Sequence, residues 1–221
     1  MDLWQITWFT VATAGFATIL MLPPGLLLAW ALARGRFRGR LLLDTLVSLP
    51  LVMPPVATGL VLLTLFAPFG PIGRVLARIG VQTVFTWKAV VLAMTVMGLP
   101  LFVRTVRAGF EQVDRRFEAA AATLGAPPLR VFLTVTLPLA RPAVIAGAVL
   151  GFARAIGEFG ATIMVAGSIP GSTRTLAVAI YSLAETGRTR DAAGFVLVSA
   201  AIAFGALWWS NRLVWVMEDR G

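Results

Sequence analysis

From Leu3 to Ala33 the sequence runs for 31 residues without an Asp, Glu, Lys or Arg, and no other feature limits the possible folds so severely. An α-helix rises about 1.5 Å per residue, so about 20 apolar residues cross the hydrocarbon core of a bilayer. Trp4 and Trp8 stand at the start of the run, where indole rings anchor at a membrane interface. Across the 221 residues only 13% are charged and 58% are hydrophobic, too little polar surface to coat a water-soluble globule of this size. Lipid offers no partners to backbone N–H and C=O groups, so the expectation is an all-α integral membrane protein. Asp2 stands where a basic cluster would precede a signal peptide, and the run is longer than such a peptide needs, which argues against a cleaved leader.

The same sequence removes several chemistries. There is no Cys and no His, hence no disulfide framework, no thiolate nucleophile and none of the usual zinc sites or Ser/His pairs. Lys88 is the only Lys among 19 basic residues, and no Gly-rich run surrounds it, so there is no G-x-x-x-x-G-K-[ST] phosphate loop. The chain is expected not to be an enzyme by itself and to bind no cofactor or metal. Its net charge of +9 reads as marking the cytoplasmic side and meeting anionic membrane lipid, with no nucleic acid involved.

Charge-free stretches divide the chain into five expected spans, at about 7–33, 45–66, 88–106, 142–166 and 192–211, within one domain of residues 7–212. After the first comes Arg34-Gly-Arg-Phe-Arg-Gly-Arg40, four Arg in seven residues, the strongest cytoplasmic signal present. The second is broken up by Pro50, Pro54 and Pro55, with Pro68 and Pro71 just beyond it, and must lean on neighbouring helices. The third is short, with Lys88 and Arg104 snorkelling to either interface. The fourth is interrupted by Arg154 and Glu158, and the fifth carries Trp208, Trp209 and Trp215 near its inner end. Five crossings with the polybasic loop inside place the N-terminus outside and the C-terminus in the cytoplasm. That topology puts twelve basic residues inside and six outside, as the positive-inside rule asks.

Residues 107–141 form the longest polar excursion. Glu118-Ala-Ala-Ala-Ala122 favours a helix over Arg115 to Leu124, and Gly125 suits its C-terminal cap. Pro127 and Pro128 suit the first turn of a second helix over Leu129 to Val135, which Pro138 is expected to end. Two short helices joined at a glycine make a knob suited to a protein partner.

Glu118-Ala-Ala-Ala-Ala-Thr-Leu-Gly125, followed after nine residues by Val135-Thr-Leu-Pro138, resembles the EAA loop of ATP-binding-cassette (ABC) importer permeases. Gly125, Leu137 and Pro138 keep the motif spacing and Val135 stands for its usual Ile. Glu118 sits one residue early, so that Ala119 takes the place of the motif Glu and Ala120 follows it. The resemblance extends over about Trp8 to Asn211. Leu49-Pro-Leu-Val-Met-Pro-Pro55, Phe152-Ala-Arg-Ala-Ile-Gly-Glu-Phe-Gly-Ala161, Ile169-Pro-Gly171 and Thr173-Arg-Thr-Leu176 are similar to the molybdate-type permeases. Sulfate/thiosulfate permeases are the nearest rival, and tungstate is a further candidate substrate. The resemblance implies a type I (MetI-like) importer fold, and a permease homodimer in a bacterial or archaeal cytoplasmic membrane. It also implies two cytoplasmic ATPase subunits carrying ATP and Mg, and a periplasmic or extracellular molybdate-binding protein. It makes Glu118, Ala119, Ala120, Gly125, Val135, Leu137 and Pro138 the ATPase-coupling residues.

Arg154, Glu158 and Phe159 are the candidates for a pathway or gate. An ionisable group within a span costs about 3 kcal/mol on insertion scales and is functional by default. Spaced i and i+4, Arg154 and Glu158 share a helix face and can pair. A structural ion pair near the inner third of the fourth span is the stronger expectation, and contact with a tetrahedral dianion the alternative. An ATP-independent channel or secondary carrier is the competing class, and it predicts inverted repeats and a midplane ion site. No repeat is evident.

Overall fold

The computed structural model describes residues 2–218, with the backbone alone described at 210, 211 and 213–218. The side chain of Trp215, expected at an interface, lies outside the described residues. All described regular structure is helical, in the order α1 (Leu3–Arg34), α2 (Arg40–Val52), α3 (Pro55–Phe66), α4 (Pro71–Arg78) and α5 (Trp87–Gln112). There follow α6 (Arg115–Thr123), α7 (Pro128–Val131), a π turn (Phe132–Thr136), α8 (Leu137–Leu139), α9 (Arg141–Ile156), α10 (Gly160–Ala166), α11 (Leu176–Glu185) and α12 (Thr189–Glu218). Three helices, α1, α5 and α12, are long and apolar enough to cross a membrane, and two bent pairs bring the number to at most five.

α1 shows how the bundle assembles. Its buried residues Ile6, Thr10, Ala14, Ala17, Met21, Gly25, Ala29 and Leu32 recur every three or four positions and form one stripe. Its opposite face leaves Phe16, Ile19, Leu20 and Leu27 more than half exposed. That is a face dressed for lipid. The stripe packs on α5, which also meets α9, α2 and α10 and buries 61% of its most apolar window, against 6% for α12. α5 is therefore the centre of the bundle and α12 its edge. Phe102, Phe110, Val103 and Val106 of α5 close one core with Met21 and Leu32, and Val90, Met94 and Met97 close a second with Ile156, Ala161 and Val165.

Two expected spans do not run straight. Over residues 45–66, α2 and α3 meet at an angle of 113°. Met53 and Pro54 each precede a proline, a position that disfavours helical backbone, and both are extended, at ψ 145° and 131°. Over residues 142–166 the helix stops at Ile156 and restarts at Gly160. Pro138 does not end the second loop helix as expected. It has no N–H to donate and would crowd the carbonyl four residues back, and the chain widens into the π turn, in which the Leu137 N–H reaches the Phe132 carbonyl. The helical path continues to Leu139 and turns by 74° into α9.

Candidate functional site

The loop between α5 and α9 is a knob fastened at two points. Asp114 begins α6 by accepting a 2.9 Å hydrogen bond from the Arg116 N–H, a standard use of Asp at a helix start. At the other end Gly125 adopts φ +81°, its N–H donates to the Ala122 carbonyl, and the Ala126 N–H donates to the Ala121 carbonyl. This is the paired closing arrangement that a left-handed glycine permits.

No residue of α6 is buried. Ala119, Ala120 and Gly125 lie on the exposed surface, beside Phe117 at 58%, Leu124 at 89% and Leu129 at 69% exposure. Val135 and Leu137 are half-buried and Pro138 is exposed. The loop thus exposes large apolar side chains among polar ones.

Glu118 faces the other way. One of its carboxylate oxygens lies 3.1 Å from an Arg34 terminal nitrogen and accepts from Arg34 Nε at 3.2 Å and from Thr136 Oγ1 at 2.7 Å. Arg34 also donates to the Val113 carbonyl at 2.8 Å. The carboxylate thus joins the end of α1, the start of α6 and the π turn. Phe132 supplies the second fastening, with its ring edge-on to Trp30 at 5.7 Å and to Phe110 at 5.8 Å. Neither Arg34, Thr136 nor Phe132 is singled out by the sequence reading. The four-Arg run draws attention to Arg34 only as a topology signal.

The pair expected within the fourth span is present, with Arg154 Nη1 2.7 Å from Glu158 Oε2. It does not lie along one continuous helix, since Glu158 comes after the end of α9. Its other oxygen accepts the Ala161 N–H at 2.7 Å and so starts α10. The Glu158 side chain is 1% exposed and that of Arg154 27%. The pair also sits farther from the 107–141 loop than the inner third. Gly98 of α5 faces the backbone of Gly151, while the N–H of Phe85, just before α5, donates to the Val165 carbonyl. Glu158 falls midway between those two levels, in the half of the bundle away from the loop. Phe159 precedes α10 and stacks on Tyr181 at 4.6 Å. The Tyr181 hydroxyl donates to Glu185 at 3.1 Å, which raises its pKa. Of the other basic residues near that end, Arg174 bonds Ser168 and Arg188 bonds Asp191.

α3 and α10, the second halves of the two broken segments, are pressed together. A Cβ at Gly59 would lie 2.7 Å from the Ala161 Cα, and one at Gly160 2.7 Å from the Pro55 Cβ. Among the described residues no group of three or more Asp, Glu, His or Cys side chains could hold a metal ion.

Comparison with known proteins bears on these features together. The chain is 43% identical over 219 residues to the molybdenum transport system permease protein ModB of Escherichia coli (strain K12), covering 98% of this chain and 96% of that protein. It is 42% identical over 172 residues to the sulfate transport system permease protein CysT of Salmonella typhimurium, covering 78% of this chain and 62% of that protein. In fold it is similar to a chain of the MetNI methionine ABC transporter in an inward-facing conformation, with a TM-score of 0.69, 17% identity, and 97% and 93% of the two chains covered. The family described as binding-protein-dependent transport system inner membrane component matches residues 6–210. The chain belongs to that family of inner-membrane transport components.

Proposed function

We propose that this chain is the permease subunit of an ABC importer and forms the membrane pathway for molybdate uptake. The observation that carries the assignment is the 107–141 knob. Its helix α6 presents exposed apolar side chains outward while Glu118 and Phe132 tie it to the bundle. Near full-length similarity to a molybdenum permease supports the substrate, and the chain carries no phosphate loop with which to hydrolyse ATP. Two copies of the chain pair with two cytoplasmic ATPase subunits that hold ATP and Mg, and a binding protein delivers molybdate from outside. The orientation has five crossings, the N-terminus outside and the C-terminus with the knob in the cytoplasm of a bacterial cell, supported by the distribution of Arg.

In this mechanism the ATP-bound partner prefers one arrangement of the membrane helices, and the knob passes that preference on as a rigid body. Glu118 fixes the knob to α1, so Ala119, Ala120 and Gly125 are the surface offered to the ATPase, with Val135, Leu137 and Pro138 supporting the second helix. Reconstitution of the permease with its ATPase and binding protein in proteoliposomes tests the assignment. Molybdate is expected to stimulate ATP hydrolysis and to accumulate, and stimulation by sulfate alone would reassign the substrate.

A further inference from the structure

A groove of about 670 Å³ opens between α1, α9 and α12, lined by Gly15 and Ile19, by Ala148 and Phe152, and by α12 from Ala201 to Trp209. No charged side chain lines it, and its one hydroxyl, that of Thr18, is returned to the Ala14 carbonyl at 2.8 Å. The groove offers little to a polar ligand and suits hydrocarbon. Two of its glycines are unexplained by the packing of the chain itself. Gly25 and Gly151 sit where Phe102 and Met21 press against them, whereas a Cβ at Gly15 or Gly205 would meet no atom of the described residues within 4 Å. Glycine weakens a helix interior relative to alanine, and the space it leaves here is used by no other described part of the chain.

The groove also has a definite depth. From Asp191 to Arg212 α12 rises about 32 Å, one hydrocarbon thickness, and from Ala201 to Arg212 about 16 Å, one leaflet. Nearer its start α12 is closed by Phe195 and Val198, which pack with Ile6, Leu176 and Ala179. A transmembrane helix of a second copy needs a seam along the whole span, and this groove covers half of it, the reach of a single acyl chain. Beyond Trp209 stands Arg212, seven residues on from Gly205 and so on the same helix face. Its guanidinium lies 5.5 Å from the Trp208 ring centroid and forms no ion pair among the described residues. Trp208 and Trp209 are both more than half exposed, as indoles at the level of lipid headgroups are.

We infer that the groove seats one acyl chain of an anionic phospholipid, with Arg212 on the phosphate. The lipid comes from the leaflet at the C-terminal end of α12, the cytoplasmic one in the orientation above. A zwitterionic headgroup carries its own cation beside the phosphate, so Arg212 favours an anionic one. The acyl chain fills the gap between α9 and α12, the long helix with only 6% of its most apolar window buried, and makes α12 part of the bundle. The inference needs α12 to cross the membrane and is independent of the cargo and of the ATPase.

The test places the full-length permease in bilayer nanodiscs with trace photoreactive lipids that carry a diazirine midway along one acyl chain. One probe has a phosphatidylglycerol headgroup and the other phosphatidylcholine, and labelled residues are mapped by mass spectrometry. In the wild type the glycerol probe is expected to label residues 201–209 and the facing turn of α9 about fivefold more than the choline probe, the preference one basic residue confers at a membrane surface. Arg212→Gln should remove that preference and Arg212→Lys should keep it. Gly205→Leu should block the groove to both probes while labelling at the exposed Leu27 of α1 stays as it was. Should Gly205→Leu fail to fold, Ala206→Leu, at another lining position, takes its place. Equal labelling by the two probes in the wild type would overturn the inference, because it describes ordinary boundary lipid. Groove labelling that survives the leucine substitution would do the same, as would a groove closed to both probes in which a bifunctional reagent joins two permease chains.

Discussion

Arg34 and Glu118, 84 residues apart in sequence, meet at 3.1 Å where the first helix ends and the knob begins. The contact is partly buried, and Thr136 and the Val113 carbonyl complete it. It makes the Glu118 carboxylate an internal fastening and leaves Ala119 and Ala120 to face outward. Glu118→Ala is therefore expected to loosen the knob without unfolding the bundle, at about 1 kcal/mol. Uptake per ATP hydrolysed should fall at least several-fold while ATPase activity persists. The exchanged pair Arg34→Glu with Glu118→Arg should recover part of the loss, and equal uptake-to-ATP ratios in Glu118→Ala and wild type would refute the fastening.

Gly125 separates backbone strain from surface contact. Its φ of +81° is open to Asn and Asp at modest cost, and a Cβ there meets no atom within 4 Å. Gly125→Asn and Gly125→Asp should both reach the membrane in normal amounts. If this surface meets the ATPase, Asp should abolish uptake and Asn should largely keep it, read by transport in proteoliposomes. Full uptake with Asp would remove Gly125 from the interface.

For the ion pair we expect the single change to cost far more stability than the double change. Arg154→Met strands the Glu158 carboxylate, 1% exposed, and should destabilise the bundle by about 3 kcal/mol. Arg154→Met with Glu158→Gln removes the stranded charge and keeps an acceptor for the Ala161 N–H, so most of that loss should return. Unfolding in mixed micelles measures both, and a double variant no more stable than the single one would contradict the pairing.

Phe132 is held between Trp30 and Phe110. Phe132→Ala should cost about 2 kcal/mol, less than for a fully buried ring. Because the loss is local, hydrogen exchange should quicken over residues 128–139 and stay slow in the middle of α5. Uniform acceleration along the chain would show that Phe132 belongs to the main core instead.

Much of the architecture was legible because lipid imposes a simple rule: charge-free length reads directly as helix. That rule places the starts of α1, α5 and α12 within four residues, while α5 and α12 run on past the charges expected to end them. It fails where proline chemistry intervenes. The Met53-Pro54-Pro55 run bends its span by 113°, and before Pro138 the helix widens into a π turn rather than stopping. Local residue types announce a disturbance in both places, but its outcome depends on which neighbouring carbonyls and helices are available. Gly125 was legible because its role is local. Glu118 drew attention as the acidic residue one place ahead of the motif position, yet its partners Arg34 and Thr136 depend on packing between segments far apart in sequence.

The central position of α5 has a mechanical consequence. A helix packed on by α1, α2, α9 and α10 cannot shift without disturbing every neighbour at once, and close packing resists such a change. A swing passed on from the knob would then have to turn the outer helices about α5, with α5 as the axle of the bundle.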